Sequence, residues 1–220
     1  ARTISPTSIY HAILRGVNKQ QVFEDEEDYI HFLNVLRRQT QPDVDAQGQT
    51  FQPRCHVYAY CLMGNHVHLL LQEGSETIGD IMKRIASSYV YHYNHKYGRV
   101  GHLFQERFKS QPVNDFSYFT TLLRYIHQNP LKAMLVDSID EYEWSSWQEY
   151  NGTANQGFCS TQAVLGRIPF ADLKVLVETP LAEEDANQFI DVDVRPTKST
   201  YSDEEIWQLL SVLSGASNAA

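Results

Sequence analysis

The sequence predicts an α+β fold in which helices pack on an antiparallel β-sheet. One observation behind this prediction is a pair of apolar, aromatic-rich runs, residues 57–62 and 67–71, with Gly64-Asn65 between them. Such a dipeptide between two apolar runs is a strong signal for a tight β-hairpin. The other observation is that helical patterns with clear starting signals alternate with short extended runs up to Pro130.

The first strand and helix come before the hairpin. Residues 8–16 form an apolar, extended run that predicts a strand. The acidic residues 24–28 then lead into a helical pattern with Tyr29, Phe32 and Leu36 on one face, and acidic side chains favour a helix N-terminus. The polar residues 39–50 predict a loop between this helix and the hairpin.

Two more helices and a short strand follow the hairpin. Thr77 and Asp80 have the spacing of a capping box that opens a helix reaching about residue 97. Residues 108–113 predict a short strand, and another helical pattern runs from Asp115 towards Pro130. Because proline disfavours helical geometry at the residue before it, we expect this helix to end or bend at Asn129.

The order strand-helix-strand-strand-helix-strand predicts a ferredoxin-like βαββαβ sandwich, with helices on one face of the sheet and one extra helix. We assign residues 1–150 to this domain, with Trp144 and Trp147 packed on it. Residues 151–220 form an acidic, mainly helical C-terminal extension, in which Ser202 caps a last helix that stops at Gly215. We expect residues 161–215 to fold back on the domain.

Composition limits the class of protein. The chain has 220 residues, of which 42% are hydrophobic, enough for one substantial core and an appended piece. No apolar run approaches the roughly 18 residues of a membrane span, and the first residues lack a signal-peptide pattern, so we expect a cytoplasmic protein without a membrane partner. Cys55, Cys61 and Cys159 are an odd set without CxxC spacing, which predicts reduced thiols in a core.

The charge distribution bears on the partner. A formal net charge of -9 argues at first sight against nucleic acid. However, residues 81–133 carry eight Lys or Arg and two Asp or Glu, a net charge of +6, between segments of -4 (residues 1–80) and -11 (residues 134–220). A basic segment rich in aromatic residues is typical of a polyanion-binding surface. A solvated helix face is the alternative interpretation.

His66 and His68 carry the strongest functional signal. Alternate residues of a strand share a face, so this spacing brings both imidazoles to the same side. Two neutral imidazoles on a rigid strand, just after a tight turn, supply half of a divalent-metal site and predict a metal-assisted enzyme. The alternative is a pair of solvent-facing histidines at a sheet edge.

Tyr125 and Asn129 form a second candidate group. They are four residues apart on a predicted helix, so the phenol and the amide share a face and can approach one centre together. The alternative is a core tyrosine whose hydroxyl is bonded to the backbone.

Five motifs occur in order within residues 8–150: Tyr10-His11 with Arg15-Gly16, LMGNHVHLL (62–70), YGRVGHLFQERFK (97–109), RYIHQNPLKA (124–133) and WSSW (144–147). Together they resemble the REP-associated tyrosine transposases, which belong to the single-tyrosine HUH transposases. HUH stands for His-hydrophobic-His. The resemblance is much weaker beyond Cys159.

The resemblance implies roles for particular residues. His66 and His68 would bind one divalent cation, Mg²⁺ or Mn²⁺, and Tyr125 would be the catalytic nucleophile. The third metal ligand would lie one turn after the tyrosine, where related enzymes commonly have Gln and this chain has Asn129. The neighbouring Gln128 and His127 are the alternatives.

The resemblance also implies a substrate. The family cleaves and rejoins single-stranded DNA at repetitive extragenic palindrome (REP) hairpins through a covalent 5'-phosphotyrosine link. The protein would act on DNA of the nucleoid as a monomer or a homodimer, and a helix-turn-helix region would follow the extension. The basic segment supplies the expected DNA contacts, which are Lys83, Arg84, Arg99, His102, Arg107, Lys109 and Arg124.

Two other functions fit the same residues. One is a non-catalytic DNA-hairpin-binding protein on the same fold. The other is an unrelated zinc hydrolase built on the His66 and His68 pair, for which Glu73 is the carboxylate closest in sequence.

Overall fold

Four strands form one antiparallel sheet in the computed structural model, which describes residues 3–44 and 46–189. The order across the sheet is β2-β3-β1-β4, and the strands are β1 (Ile9–Arg15), β2 (Cys55–Met63), β3 (His66–Glu73) and β4 (Lys109–Pro112). The two central strands, β1 and β3, are therefore buried between neighbours on both sides.

The β2–β3 hairpin turns at residues 64–65, as predicted. β3 then pairs with β1 so that Arg15 lies opposite His66 and Ile13 lies opposite His68. Cross-strand partners project from the same face of a sheet. The register thus brings the end of β1 and the start of β3 together at one end of the sheet.

Two helices, α1 (Glu26–Thr40) and α2 (Ile78–Lys96), cover one face of the sheet. The predicted cap is observed, since Thr77 Oγ1 accepts a hydrogen bond from the backbone N–H of Asp80 at 3.3 Å. The position of both helices on one face and the strand order β2-β3-β1-β4 confirm the predicted ferredoxin-like arrangement. The core between these helices and the sheet includes Ala12, Leu14, Phe32, Leu36, Leu69, Ile81, Ile85 and Tyr89.

The opposite face of the sheet is covered by the extra helix, α3 (Phe116–Lys132). Asp115 caps its N-terminus, where a carboxylate oxygen accepts a hydrogen bond from the Tyr118 N–H at 2.8 Å. The apolar residues Leu122, Leu123 and Ile126 of α3 pack with Ala59, Cys61 and Leu70 of the sheet. Because His66 and His68 alternate with the α1/α2-facing Val67, they lie on the α3 side.

Helix α3 does not end at Asn129, the first of the two outcomes expected there. The helix continues through Pro130 to Lys132, and Ala133 is its C-cap. Proline cannot donate a hydrogen bond to the carbonyl of Ile126, one turn earlier. The side-chain amide of Asn129 supplies a donor in the same turn, 2.9 Å from the Tyr125 carbonyl oxygen. One extra helical turn therefore projects past the predicted end.

Short helices follow α3: α4 (Trp147–Tyr150), α5 (Thr161–Leu165), α6 (Phe170–Glu178) and α7 (Glu183–Ala186). Residues 161–189 pack against the α3 side through Val164, Leu173, Val177, Leu181 and Phe189. The expected domain boundary at residue 150 stays a prediction, and the helix expected over residues 202–215 lies outside the described residues.

Two further observations concern the chemistry of the chain. All three cysteines are free thiols; Cys55 and Cys61 are buried, and Cys159 is partly exposed. Within residues 3–44 and 46–189, no helix combines the length and apolar character needed to cross a membrane.

Candidate metal centre and nucleic-acid interface

His66 and His68 lie together at the start of β3. Their ring centroids are 4.9 Å apart, His68 is fully buried, and His66 is 7% exposed. His66 Nδ1 lies 2.6 Å from Asn65 Oδ1. An amide oxygen only accepts hydrogen bonds, so Nδ1 carries the proton and Nε2 carries the lone pair. This is the tautomer in which Nε2 can bind a metal.

His11 of β1 contacts His68 from the neighbouring strand. His11 Nε2 and His68 Nδ1 are 3.0 Å apart, and the ring planes are within 20° of each other. Burial lowers the pKa of His11 to about 3. Burial, followed by the nearby His66 and His11, holds the pKa of His68 well below its usual value. Both imidazoles are therefore neutral near pH 7, which is the form that binds metals.

Tyr125 of α3 lies beside the histidine pair. Its ring centroid is 5.6 Å from that of His68 and 6.2 Å from that of His11, with the rings edge to face. Lys132 Nζ is 4.8 Å from the Tyr125 ring centroid, on the turn of α3 that the sequence did not predict. The Phe189 ring is tilted by 41° against the Tyr125 ring, with the centroids 4.6 Å apart, and Tyr125 is only 5% exposed. The structure thus brings the predicted phenol and imidazoles into one cluster.

The candidates for a third ligand occupy different environments. His127 Nε2 is 2.8 Å from Ser146 Oγ, and its ring packs between Trp147 and Tyr150. The side chain of Gln128 is bonded to backbone atoms of residues 177–181. Asn129 remains, on the same helical stripe as Tyr125 and partly exposed.

The protein atoms present fit one divalent cation. Nδ1 of each imidazole lies within hydrogen-bond distance of a neighbour, Asn65 Oδ1 for His66 and His11 Nε2 for His68, so each ring would bind a cation through Nε2. In the part of the chain that the structure describes, no group of three or more His, Cys, Asp or Glu could hold a metal ion. A complete coordination sphere here thus requires an amide oxygen, water or substrate oxygens beside the two imidazoles.

Three of the predicted DNA contacts already have partners within the protein. Arg84 Nε forms an ion pair with Glu76 at 2.8 Å. Arg99 donates to Gln20 Oε1 at 3.2 Å, and Arg124 donates from Nε to the Thr179 carbonyl oxygen at 2.8 Å. Using these side chains for DNA would require breaking those contacts.

The other predicted contacts lie near one edge of the sheet. Lys83, His102 and Arg107 line a groove of about 990 Å³ between α2 and residues 102–108. Lys109 begins the edge strand β4 opposite Ile13, and Ile13 in turn lies opposite His68. Two strand spacings therefore separate Lys109 from His68, about 10 Å, on the same face of the sheet. None of these four side chains forms an ion pair or hydrogen bond with a described residue.

Residues 103–105 connect the groove to the histidine end of the sheet. The backbone N–H of Gln105 donates to the Arg15 carbonyl oxygen at 2.8 Å, and that of Val17 donates to the Leu103 carbonyl oxygen at 3.0 Å. Because Arg15 lies opposite His66, residues 103–105 approach the histidine end of the sheet, while the groove itself borders α2, on the face opposite the candidate metal centre.

Sequence reasoning assigned no site role to His11, Lys132 or Phe189, although His11 and Lys132 lie within two of the five motifs. His11 is far from the histidine pair in sequence, and only the pairing of β1 with β3 brings it to His68. The position of Lys132, seven residues after Tyr125, places both on one face, provided that the helix passes Pro130. Nothing in the sequence indicates that Phe189 covers Tyr125.

Comparison with known proteins gives the family. Residues 5–129 match the model of the family described as "Transposase IS200 like". This match spans more than half of the chain, which therefore belongs to the IS200-like transposase family.

A solved structure of a REP-associated tyrosine transposase bound to a REP hairpin has a similar fold. The TM-score is 0.52 at 14% sequence identity, over 72% of this chain and 87% of that chain. The likeness confirms the α+β architecture. A comparison with curated proteins gives no match.

Proposed function

We propose that this member of the IS200-like transposase family is a metal-dependent, single-stranded DNA endonuclease and strand transferase that acts on REP-type hairpins. One observation carries the proposal: the Tyr125 ring lies 5.6 Å from that of His68, which neighbours His66. The nucleophile comes from α3 and the two imidazole ligands come from β3. Their convergence is what in-line attack on a metal-held phosphate requires.

In this proposal Tyr125 is the nucleophile. Its oxygen attacks the scissile phosphorus, forming a P–O bond to tyrosine and breaking the bond to the 3' oxygen. The phenolic proton is lost to solvent, and the leaving oxygen takes up a proton to become a free 3'-OH. In the reverse step a 3'-OH attacks the 5'-phosphotyrosine and restores the phenol. The covalent link retains the bond energy, so no nucleotide cofactor is needed.

His66, His68 and Asn129 would hold one Mg²⁺ or Mn²⁺ ion. When bound, such an ion stabilises the charge that develops on the phosphate. The protein's part is to keep the imidazole of His68 neutral by burial and to fix the tautomer of His66 through Asn65. Asn129 is the third ligand in this proposal because its hydrogen bonds to the helix backbone use Nδ2 and not Oδ1, whereas His127 Nε2 and both amide atoms of Gln128 are bonded elsewhere.

The proposed substrate is a folded single strand. The structural neighbour is bound to a REP hairpin, and we infer the same substrate class for this chain. Its phosphates would contact four side chains that have no ion pair or hydrogen bond with a described residue, Lys83, His102, Arg107 and Lys109. The chain would meet this substrate in the cytoplasm, at the nucleoid, with residues 1–150 as the catalytic domain, as a monomer or a homodimer.

The decisive experiment uses hairpin oligonucleotides labelled at either end, with Mg²⁺ or Mn²⁺, and a denaturing gel. A 5'-phosphotyrosine link retains the 3'-labelled fragment on the protein and releases the 5'-labelled one. Tyr125→Phe is expected to lose cleavage and adduct but keep hairpin binding. Tyr118→Phe is the matched control on α3, because the Tyr118 hydroxyl is buried without a hydrogen-bond partner among the described residues. An adduct that survives in Tyr125→Phe would refute the proposal.

A non-catalytic hairpin-binding protein is the second candidate. The burial of Tyr125 beneath Phe189 favours it, because a nucleophile must reach its substrate. In that case Tyr125→Phe would change nothing measurable. The zinc-hydrolase alternative needs Glu73 as a ligand beside His66 and His68. Glu73 lies instead at the opposite end of β3 and accepts a hydrogen bond from the Ile78 N–H at 2.7 Å, which weakens this alternative.

A further inference from the structure

His11 is a fully buried histidine to which the nucleophilic step assigns no role. It lies on the central strand β1, and the rings of Tyr125 and Phe189 approach it edge-on at 6.2 and 6.1 Å. Burying an imidazole removes the hydration of both ring nitrogens. This desolvation costs free energy, and an aliphatic side chain at the same position would not have that cost. A polar side chain at this position therefore indicates a need for one of its nitrogens.

The contact with His68 is a well-formed hydrogen bond. The N···N distance is 3.0 Å, and the ring centroids are 5.3 Å apart with an interplanar angle of 20°. This centroid separation is the one expected when the bond lies in the plane of both rings, along the lone-pair direction of the acceptor. A single proton lies between the two nitrogens, and its position decides what His68 can do.

The two positions of that proton have opposite consequences for metal binding. If His11 Nε2 donates, the proton of neutral His68 sits on Nε2, and this nitrogen cannot bind a cation. If His68 Nδ1 donates, His68 Nε2 carries a lone pair that can bind a cation. His11 then carries its own proton on Nδ1, which is buried and has no hydrogen-bond partner among the described residues.

We propose that His11 is a positioning residue of the metal centre: its Nε2 accepts the Nδ1–H of His68 and thereby holds His68 Nε2 ready for the cation. This inference rests on the proposed function. Groups behind a metal-bound histidine fix its tautomer and raise its basicity, and their loss typically weakens metal binding about 10- to 100-fold. His66 has the equivalent partner in Asn65, so each proposed ligand has its own acceptor.

The test compares His11→Gln with His11→Met, each in the Tyr125→Phe background and bound to an uncut hairpin oligonucleotide. The background prevents turnover, so that Mn²⁺ affinity is measured alone, from the electron paramagnetic resonance signal of the free ion. The Gln side chain offers an acceptor oxygen at about the reach of His Nε2, whereas Met has similar length and no strong acceptor. We expect Met to weaken Mn²⁺ binding about 10- to 100-fold and Gln to restore most of it.

Two controls separate a positioning role from a structural one. Melting temperature and hairpin affinity, both in EDTA, report the fold without metal and should be similar in the two variants. The role of His11 is refuted if His11→Met binds Mn²⁺ as tightly as the parent does, or if folded His11→Gln binds Mn²⁺ as weakly as His11→Met. The proposed metal centre stands in both cases. If the parent complex takes up no Mn²⁺, the proposed centre and the inference both fail.

A measurement on the unmodified chain covers the case in which Met does not fold. Imidazole ¹⁵N shifts of the full chain loaded with Zn²⁺, which is diamagnetic and accepts imidazole ligands, report which nitrogen of His68 carries the proton. A proton on Nδ1 supports the proposal. A proton on Nε2 overturns it.

Discussion

Phe189→Ala should accelerate cleavage, because Phe189 covers the proposed nucleophile. The Phe189 ring lies 4.6 Å from that of Tyr125 and 5.4 Å from that of Tyr118, and Phe189 is itself 2% exposed. Tyr125 cannot meet a phosphate while its ring is packed in this way. Attack therefore requires residues near 189 to move away first, and the free energy of that movement reduces the rate.

The size of the effect follows from the contacts that remain. Full burial of a Phe side chain contributes about 1.5–3 kcal/mol, which Phe189→Ala removes from the closed state. The hydrogen bonds of Gln128 to residues 177–181, and that of Gln111 to the Gln188 carbonyl oxygen at 3.0 Å, are unaffected. Since about 1.4 kcal/mol corresponds to a tenfold change in population, the open fraction should rise about 10- to 100-fold.

Single-turnover cleavage with saturating hairpin DNA and Mn²⁺ measures this rate. Phe170→Ala is the matched control, because Phe170 lies in the same C-terminal extension and packs on Trp147 at 5.9 Å rather than on Tyr125. The rate should rise for Phe189→Ala and stay near the parent value for Phe170→Ala. Equal rates for both variants and the parent would show that Phe189 does not limit access to Tyr125.

Two further predictions concern stability and DNA binding. Burial lowers the pKa of His127 to about 3, so below about pH 6.5 the unfolded chain binds a proton that the folded chain does not, and stability falls with decreasing pH. The variant His127→Gln can still bond Ser146 and should reduce the slope of the unfolding free energy against pH by up to about 1.4 kcal/mol per pH unit. Urea unfolding at pH 5 and pH 7 measures this slope. An unchanged slope would show that His127 is not the group responsible. Arg107→Ala should lower the slope of log affinity for the hairpin against log salt concentration by about 0.7. Arg84 is paired with Glu76, so Arg84→Ala should change this slope less. Equal changes in the two variants would show that Arg107 does not contact the DNA.

Local signals were sufficient for most of the fold. The Gly64-Asn65 turn fixed the hairpin, and the hydroxyl of Thr77 marked the start of α2, because both depend on backbone geometry within a few residues. The same holds for the His66 and His68 pair, whose common face follows from strand geometry alone. The end of α3 did not follow a local rule, because the packing of its apolar stripe on the sheet overrides the preference at Asn129.

Contacts between distant segments limited how much of the candidate site could be predicted from the sequence. His11 reaches His68 only through the register of β1 and β3, because the two residues are 57 positions apart in sequence. Gln128 shows the converse: the sequence makes it a candidate ligand, and a distant contact excludes it. Its amide is a plausible ligand by sequence position, but in the fold it is bonded to the carbonyl oxygens of Val177 and Thr179. Which polar side chains are available for chemistry therefore depends on where the C-terminal extension packs.

The electrostatics of the cluster add an argument for a phosphate substrate. The proposed ligands, two imidazoles and the amide of Asn129, carry no negative charge. Arg15 and Lys132 lie close enough for their positive charges to contribute to the lowered pKa of His68. A divalent cation entering here adds charge of the same sign, in a partly buried site where such repulsion is weakly screened. An anion must balance it, and the scissile phosphate of a DNA strand is the anion that the proposed reaction brings to this point.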